Sequence, residues 1–334
     1  MYEQIARNKR DSWALMLILV VILGALGYVI GRATMGTSSA GFGLLAVFGV
    51  AAIVWSIVGY FAGPGIVLGA TGARQVTHDQ APVLYNVVEE MSIAAGVPVP
   101  KVYVIDDPAP NAFATGRDPE HASVAATTGL LATMDREELQ GVLAHELSHV
   151  RNYDIRFATL VGILVGMIAL VCDFFLRFSF WGGGRRSSNE SGNAGAILAL
   201  IALVFAIIAP LAAMLVQFAI SRHREYLADA SGVQLTRNPA GLADALQKIA
   251  DDPQPLRHAN RATAHLYIAN PLKGRKDRDS EGLFDTHPPI RKRIEILRAM
   301  EYGSGSAGTA AGMMPPAAPP AGPAPPVAGA GPAS

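Results

Sequence analysis

The sequence predicts a mainly α-helical protein with a small β-sheet, in which four transmembrane helices carry a water-facing domain built from two separate sequence blocks. Three observations predict it. Of 334 residues, 51% are hydrophobic and 16% are charged, whereas a soluble domain carries about a quarter charged residues. Four stretches, Trp13 to Ile30, Gly41 to Gly63, Phe157 to Leu176 and Ala194 to Ile220, are apolar and long enough to cross about 30 Å of hydrocarbon as helices. Two blocks outside them carry amphipathic and alternating patterns, which need a core on one side and water on the other. Lys plus Arg equals Asp plus Glu at 27 each, so the broad positive field of a nucleic-acid binder is missing and nucleic acid is excluded as a partner. The one cysteine, Cys172, lies in an apolar stretch, which leaves neither a disulfide framework nor a thiolate cage. Any metal must be held by histidines and carboxylates.

Residues 1–63 read as the first transmembrane pair. Arg7, Lys9 and Arg10 precede the first span without a small-residue cleavage site after it, so the span is a retained anchor with its N-terminus in the cytoplasm. Gly27/Gly31 and Gly59/Gly63 are small-xxx-small pairs that let helices approach closely. Residues 64–156 form the first block: a helix over Ala81 to Ala95, β-favouring runs at Lys101 to Ile105, Ala112 to Thr115 and Ala122 to Thr127, then another helix. Residues 157–220 read as the second transmembrane pair. The three arginines of the loop from Arg177 to Asn193 leave open a hairpin that dips into the bilayer without crossing; either way the chain returns to the side it left. Residues 221–302, the second block, read as helical throughout. Residues 303–334 contain eight of the 22 prolines and no charge, a composition that cannot bury a core and predicts a disordered tail.

The chemistry gathers in Asp135-Arg-Glu-Glu-Leu-Gln-Gly-Val-Leu-Ala-His-Glu-Leu-Ser-His-Val150. Asp135 can cap a helix and Glu138 can complete a capping box, while Leu139, Val142, Leu143, Leu147 and Val150 form an apolar stripe at helical spacing. On that helix His145 and His149 stack on one face and can aim two imidazoles at one ion. Glu146, beside the first, can reach the attacking water instead of the ion, as a general base requires. A third ligand is needed. A histidine six residues after His149 is absent, because Ile155 stands there. Glu225 and Asp229, four apart, supply the alternative: one can bind the metal while the other orients a ligand histidine through its free ring N–H. His78, His121, His258 and His265 read as surface or packing histidines.

His145-Glu146-x-x-His149, followed after a hydrophobic pair by Ser221-Arg222-x-x-Glu225-x-x-x-Asp229, resembles the HtpX family of bacterial membrane zinc metalloproteases and their CAAX prenyl protease relatives. Asn111-Ala-Phe-Ala-Thr-Gly116 and Thr286-His-Pro-Pro-Ile-Arg-Lys-Arg293 match further family segments, so the likeness runs over about residues 10 to 300. The resemblance implies a zincin-like metalloprotease domain with one Zn2+ per subunit. By it, His145, His149 and Glu225 are the metal ligands, Glu146 is the base and Asp229 supports a ligand. It makes His287 and Arg293 catalytic candidates for stabilising the oxyanion or fixing the site, and Asn111, Ala112 and Phe113 a substrate-binding strand. The His-Pro-Pro turn can also simply start a helix from Ile290.

His149 is eight residues before the third span and Glu225 five after the fourth, so on continuous helices both lie within about 12 Å of the bilayer. The reading is therefore a multi-pass protein of the cell membrane with its catalytic domain in the cytoplasm. The resemblance implies that it cleaves misfolded or damaged membrane proteins and other unfolded polypeptides, in membrane protein quality control and stress response. Its rivals are a CAAX-type processing protease and a non-catalytic scaffold or transporter with a structural metal. A structural site would be closed by four ligands, and only three plus Glu146 are found.

Overall fold

A computed structural model describes residues 2–164, 222–257, 263–271 and 288–301. The fourth span, most of the third, His258, His287 and the proline-rich tail lie outside these residues.

The first two helices are longer than their apolar stretches. Helix α1 (Tyr2–Met35) and helix α2 (Ser38–Ala70) form an antiparallel pair. Between them Gly36 takes the left-handed φ of 71° and Thr37 caps α2 by accepting a hydrogen bond from the Ala40 N–H. The two backbones touch: a Cβ at Gly27 or Gly31 would stand 2.5 or 2.4 Å from the carbonyl oxygens of Leu44 and Ala40. Leu17, Val21, Phe42, Val50 and Phe61 point outward and are exposed. An apolar surface that wide belongs in lipid or against a partner. Among the described residues these are the two helices long and apolar enough to cross a membrane, against four expected over the whole chain. Helix α2 also continues past residue 63, through Pro64 to Ala70.

The water-facing part follows its sequence pattern closely. Strand β1 (Arg74–Gln75) leads to helix α3 (Pro82–Ala95), which starts on a proline and ends at Gly96 with φ 68°. Strands β2 (Lys101–Ile105), β3 (Ala112–Gly116) and β4 (Ala122–Thr127) follow, then the short helix α4 (Thr128–Thr133). The sheet order is β1-β2-β4-β3, with β2 and β4 parallel and the other neighbours antiparallel. Helix α5 (Arg136–Arg151) lies against β3, and its N-terminus carries the anticipated capping box between Asp135 and Glu138. Tyr153 then takes φ 62°, which ends α5 and lets a new helix, α6 (residues 154–164), leave in another direction. Helices α7 (Arg222–Thr236), α8 (Pro239–Asp251) and α9 (Ile290–Glu301) come from the second block.

That block is not helical throughout. Pro253 and Pro255 follow α8, and residues 252–257 have no helix, since each proline removes a donor. Further on, Tyr267 is extended and forms an isolated antiparallel bridge with Phe113.

One core lies between the sheet, α3, α5, α8 and α9, centred on residues such as Leu84, Val124, Leu143, Leu147, Leu246 and Leu297. A second joins α1 to α6 through Leu15, Leu19, Phe157 and Leu160, so the anchor helices are packed onto the domain. Helix α5 is clamped by close approaches on two sides. A Cβ on Gly141 would lie 2.7 Å from the Leu242 backbone nitrogen of α8, and one on Gly232 of α7 3.2 Å from the His145 nitrogen. Replacing Gly141→Ala is expected to destabilise the protein by about 1–3 kcal/mol through overpacking, read as a lowered thermal midpoint in detergent. Gly43→Ala, which meets nothing within 4 Å, is expected to leave that midpoint unchanged.

Candidate metal centre

Helices α5 and α7, both pinned by small residues at their crossing, bring His145, His149 and Glu225 together. One ligand-capable atom from each lies within 4.8 Å of the other two. The imidazole Nε2 atoms of His145 and His149 are 3.2 Å apart. Glu225 places Oε2 3.8 Å from His145 Nε2 and Oε1 3.6 Å from His149 Nε2.

The other ring nitrogens are both taken by carboxylates. His145 Nδ1 lies 2.9 Å from Asp229 Oδ1, and His149 Nδ1 lies 3.1 Å from Asp154 Oδ2. Each carboxylate accepts the Nδ1 proton, which fixes the tautomer and turns both Nε2 lone pairs toward the same point. Two lone pairs and a carboxylate converging in a buried space require a cation between them. Two nitrogens in a tetrahedral zinc site with bonds of about 2.0–2.1 Å stand about 3.3 Å apart, close to the spacing observed. The donor set fits a metal.

Arg293 closes the network from behind. Its Nε donates to Asp229 Oδ2 at 2.8 Å and an Nη to Oδ1 at 2.7 Å, a two-point clamp that holds the carboxylate plane. Its third donor goes to the Ile268 carbonyl at 2.8 Å. Burial would raise the Asp229 pKa, but Arg293 and the hydrogen bonds from it and His145 outweigh that and hold it below the ordinary carboxylate value. Burial lowers the pKa of His145 against the pull of Asp229, which keeps that ring neutral. Burial also opposes charge on His149, yet the hydrogen bond to Asp154 and the charges of Glu225, Asp154 and Glu146 prevail, and its pKa rises to about 9.

Glu146 sits beside the pair with 2% of its surface exposed. Burial raises its carboxyl to about 7, against the opposing charge of His149. Its Oε1 is buried with no hydrogen-bond partner, and the residue lines a cleft at the centre. The cleft there is walled by Ala114, Ile155, Ala158, His265, Tyr267 and Ile268.

The remaining anticipated residues fall differently. Arg293 is 1% exposed and is not part of the cleft wall. Asn111, Ala112 and Phe113 do not line the cleft either. Asn111 donates to the Ala269 carbonyl, the Ala112 carbonyl accepts from the Ile268 N–H, and Phe113 pairs with Tyr267; this edge of β3 is covered by residues 267–269 as far as Phe113. Ala114, one residue on, is the part of β3 at the cleft. His287 lies outside the described residues. Sequence reasoning missed Asp154 as the partner of His149; a carboxylate just past the end of α5 was the available signal. It also set aside His265, which is in the cleft wall with Nε2 2.9 Å from the Ala158 carbonyl.

Taken together, the fold and the centre define a class: a metallopeptidase carried on helices that cross a membrane. The sequence profile of peptidase family M48 matches residues 78–301. A protein described as protease HtpX homolog from Ligilactobacillus salivarius is 48% identical over 301 residues, covering 90% of this chain and 100% of that protein. Its counterpart from Caldanaerobacter subterraneus is 46% identical over 302 residues, covering 90% and 98%. The crystal structure of S. mikatae Ste24p compares at a TM-score of 0.46 and 18% identity, covering 86% of this chain and 66% of that one. The chain belongs to peptidase family M48, and the resemblance to the HtpX family noted in its motifs holds across most of its length.

Because the ordinary histidine pKa of 6.5 is raised to about 9 at His149, metal uptake must displace a proton at any pH below that. Calorimetric titration of the metal-free protein with Zn2+ at pH 7.5, in buffers of differing ionisation heat, is expected to show release of about one proton and an affinity that falls as pH is lowered. Proton-neutral binding at pH 7.5 would contradict the assignment.

Proposed function

We propose that His145, His149 and Glu225 hold one Zn2+ per subunit, and that the protein is a zinc endopeptidase acting at the cytoplasmic face of the cell membrane. The observation that carries the reading is the pair of Nε2 atoms 3.2 Å apart, with both Nδ1 atoms held by carboxylates and the buried Oε1 of Glu146 beside them. When bound, zinc supplies Lewis-acid polarisation of the scissile carbonyl and acidifies the attacking water. Glu146 takes the proton from that water and passes it to the leaving amine, a shuttle suited by a carboxyl near 7. Asp229 and Asp154 keep the two rings in the tautomer that leaves Nε2 free. Arg293 positions Asp229 rather than touching substrate, because it is buried behind the cleft wall and clamped to Asp229 and the Ile268 carbonyl. Oxyanion stabilisation falls to a donor at the cleft, with His287 the residue the family motif offers.

Substrates are unfolded polypeptides and misfolded or damaged membrane proteins, in a quality-control and stress-response role. Their extended segments pair with the edge of β3 from Ala114 onward. Membrane proximity is supported by the layer of cations on aromatic rings where α1 meets α6: Lys9 over Tyr153 at 4.1 Å, Arg156 over Tyr153 at 5.0 Å and over Tyr60 at 5.5 Å. Tyr153 is four residues from His149, so this interfacial layer and the metal centre are neighbours. A multi-pass arrangement with four spans returns Glu225 to the side of His145.

In detergent-purified protein, Glu146→Gln is expected to keep wild-type zinc content while casein cleavage falls at least about 100-fold, and a chelator is expected to abolish cleavage until zinc is restored. Cleavage by the metal-free protein, or full activity of Glu146→Gln, would overturn the reading.

A further inference from the structure

We propose that Asn8, near the start of the first membrane helix, is a positioning residue of the metal centre, acting through Asp154 on His149. The proposal rests on the reading of His145, His149 and Glu225 as metal ligands and extends it to a helix outside the peptidase domain.

Asn8 Nδ2 lies 2.6 Å from Asp154 Oδ1 and 2.8 Å from the Asn152 carbonyl oxygen. Its two N–H groups therefore serve two acceptors, the carboxylate and the carbonyl at the C-terminal cap of α5. The amide orientation is dictated by these partners, since a reversed amide would aim an oxygen at both. The other oxygen of Asp154, Oδ2, faces His149 Nδ1 at 3.1 Å. A continuous chain thus runs from α1 through one carboxylate to a ligand ring. Asn8 is 0% exposed, Asp154 5% and Asn152 8%, so water does not replace the amide.

Among the described residues, Asn8 supplies the hydrogen bond to Asp154 Oδ1. The guanidinium of Arg224 keeps its Nε 3.9 Å away, beyond hydrogen-bond range, and lies 4.6 Å above the Phe157 ring. A neutral amide suits this position: it fixes the carboxylate without cancelling the charge that makes His149 a stronger donor. Asn8 Oδ1 is buried with no partner, a cost the site bears for placing Nδ2. Removing the amide frees Asp154 to turn toward Arg224 and loosens the His149 ring. Loss of a supporting group of this kind weakens metal binding about 10–100-fold.

The test uses the full chain in detergent, stripped of metal. Zinc affinity is measured by competition with a chromophoric chelator, and ligand geometry by the visible spectrum of the Co2+ form. Asn8→Ala is expected to raise the zinc dissociation constant about 10-fold and to alter the Co2+ spectrum, while the metal-free protein, though less stable, keeps the wild-type circular dichroism at the temperature of the titration. Asn8→Asp, nearly the same shape but facing Asp154 with a like charge, is expected to lose more. Adding Asn8→Ala to Asp154→Ala is expected to cost nothing further, because the two act in series. Ser12→Ala removes the neighbouring hydrogen bond to the Asn8 carbonyl and is expected to bind zinc as wild type does. Wild-type affinity in both Asn8 variants, additive losses in the double variant, or an equal loss in Ser12→Ala would overturn the proposal. Failure of the wild-type chain to bind metal would instead sink the reading of the site itself.

Discussion

Two imidazole nitrogens 3.2 Å apart, each with its ring N–H held by a carboxylate, do not face one another without a cation between them. Most of the water-facing structure follows from that demand. Buried charge is tolerated only when paired and hydrogen-bonded, and here each of the two facing rings has an assigned carboxylate. Asp229 answers His145 and is answered by Arg293; Asp154 answers His149 and is held by Asn8. Glu225 stands over both rings. Leaving any one of these groups alone would expose the others to the full desolvation cost of a buried ion.

The scaffold brings these groups from five elements. Helix α5 supplies the rings and the base, α6 supplies Asp154, α7 supplies two carboxylates, α9 supplies Arg293, and α1 reaches in with Asn8. Close approach makes this possible, and it is purchased with glycine at the crossings: Gly141 against α8 and Gly232 against the backbone at His145. The left-handed Tyr153 is the other device. By ending α5 and redirecting the chain, it turns Asp154 back onto His149 and presents an aromatic face to Lys9 and Arg156.

The anchor helices are accordingly more than a tether. Helices α1 and α2 meet along glycines, and α1 packs on α6 through Leu15, Leu19 and Phe157. Their outward faces are apolar, while Asn8 and Ser12 near the polar end of α1 are buried. Tyr153, which faces Lys9 and Arg156, and Asp154, which faces His149, are neighbours in a single turn.

The sequence by itself determined the local half of this protein. The capping box at Asp135, the i,i+4 spacing of His145 and His149, the strand runs around Lys101, Ala112 and Ala122, and the apolar length of the first two spans are all read within a few residues, where helical and strand periodicity operate. Sequence spacing also brought Glu225 and Asp229 forward as a pair but left their roles symmetrical until motif resemblance separated them. Only the tertiary structure decided that Asp229 meets Nδ1 of His145 while Glu225 faces both Nε2 atoms, that Arg293 clamps Asp229, that residues 267–269 cover β3 beside Asn111, and that His265 is in the cleft wall. The physical reason is range. Contacts such as Arg293 with Asp229, or Asn8 with Asp154, join residues 64 and 146 positions apart, and no periodicity in the chain records which distant side chains packing will bring together.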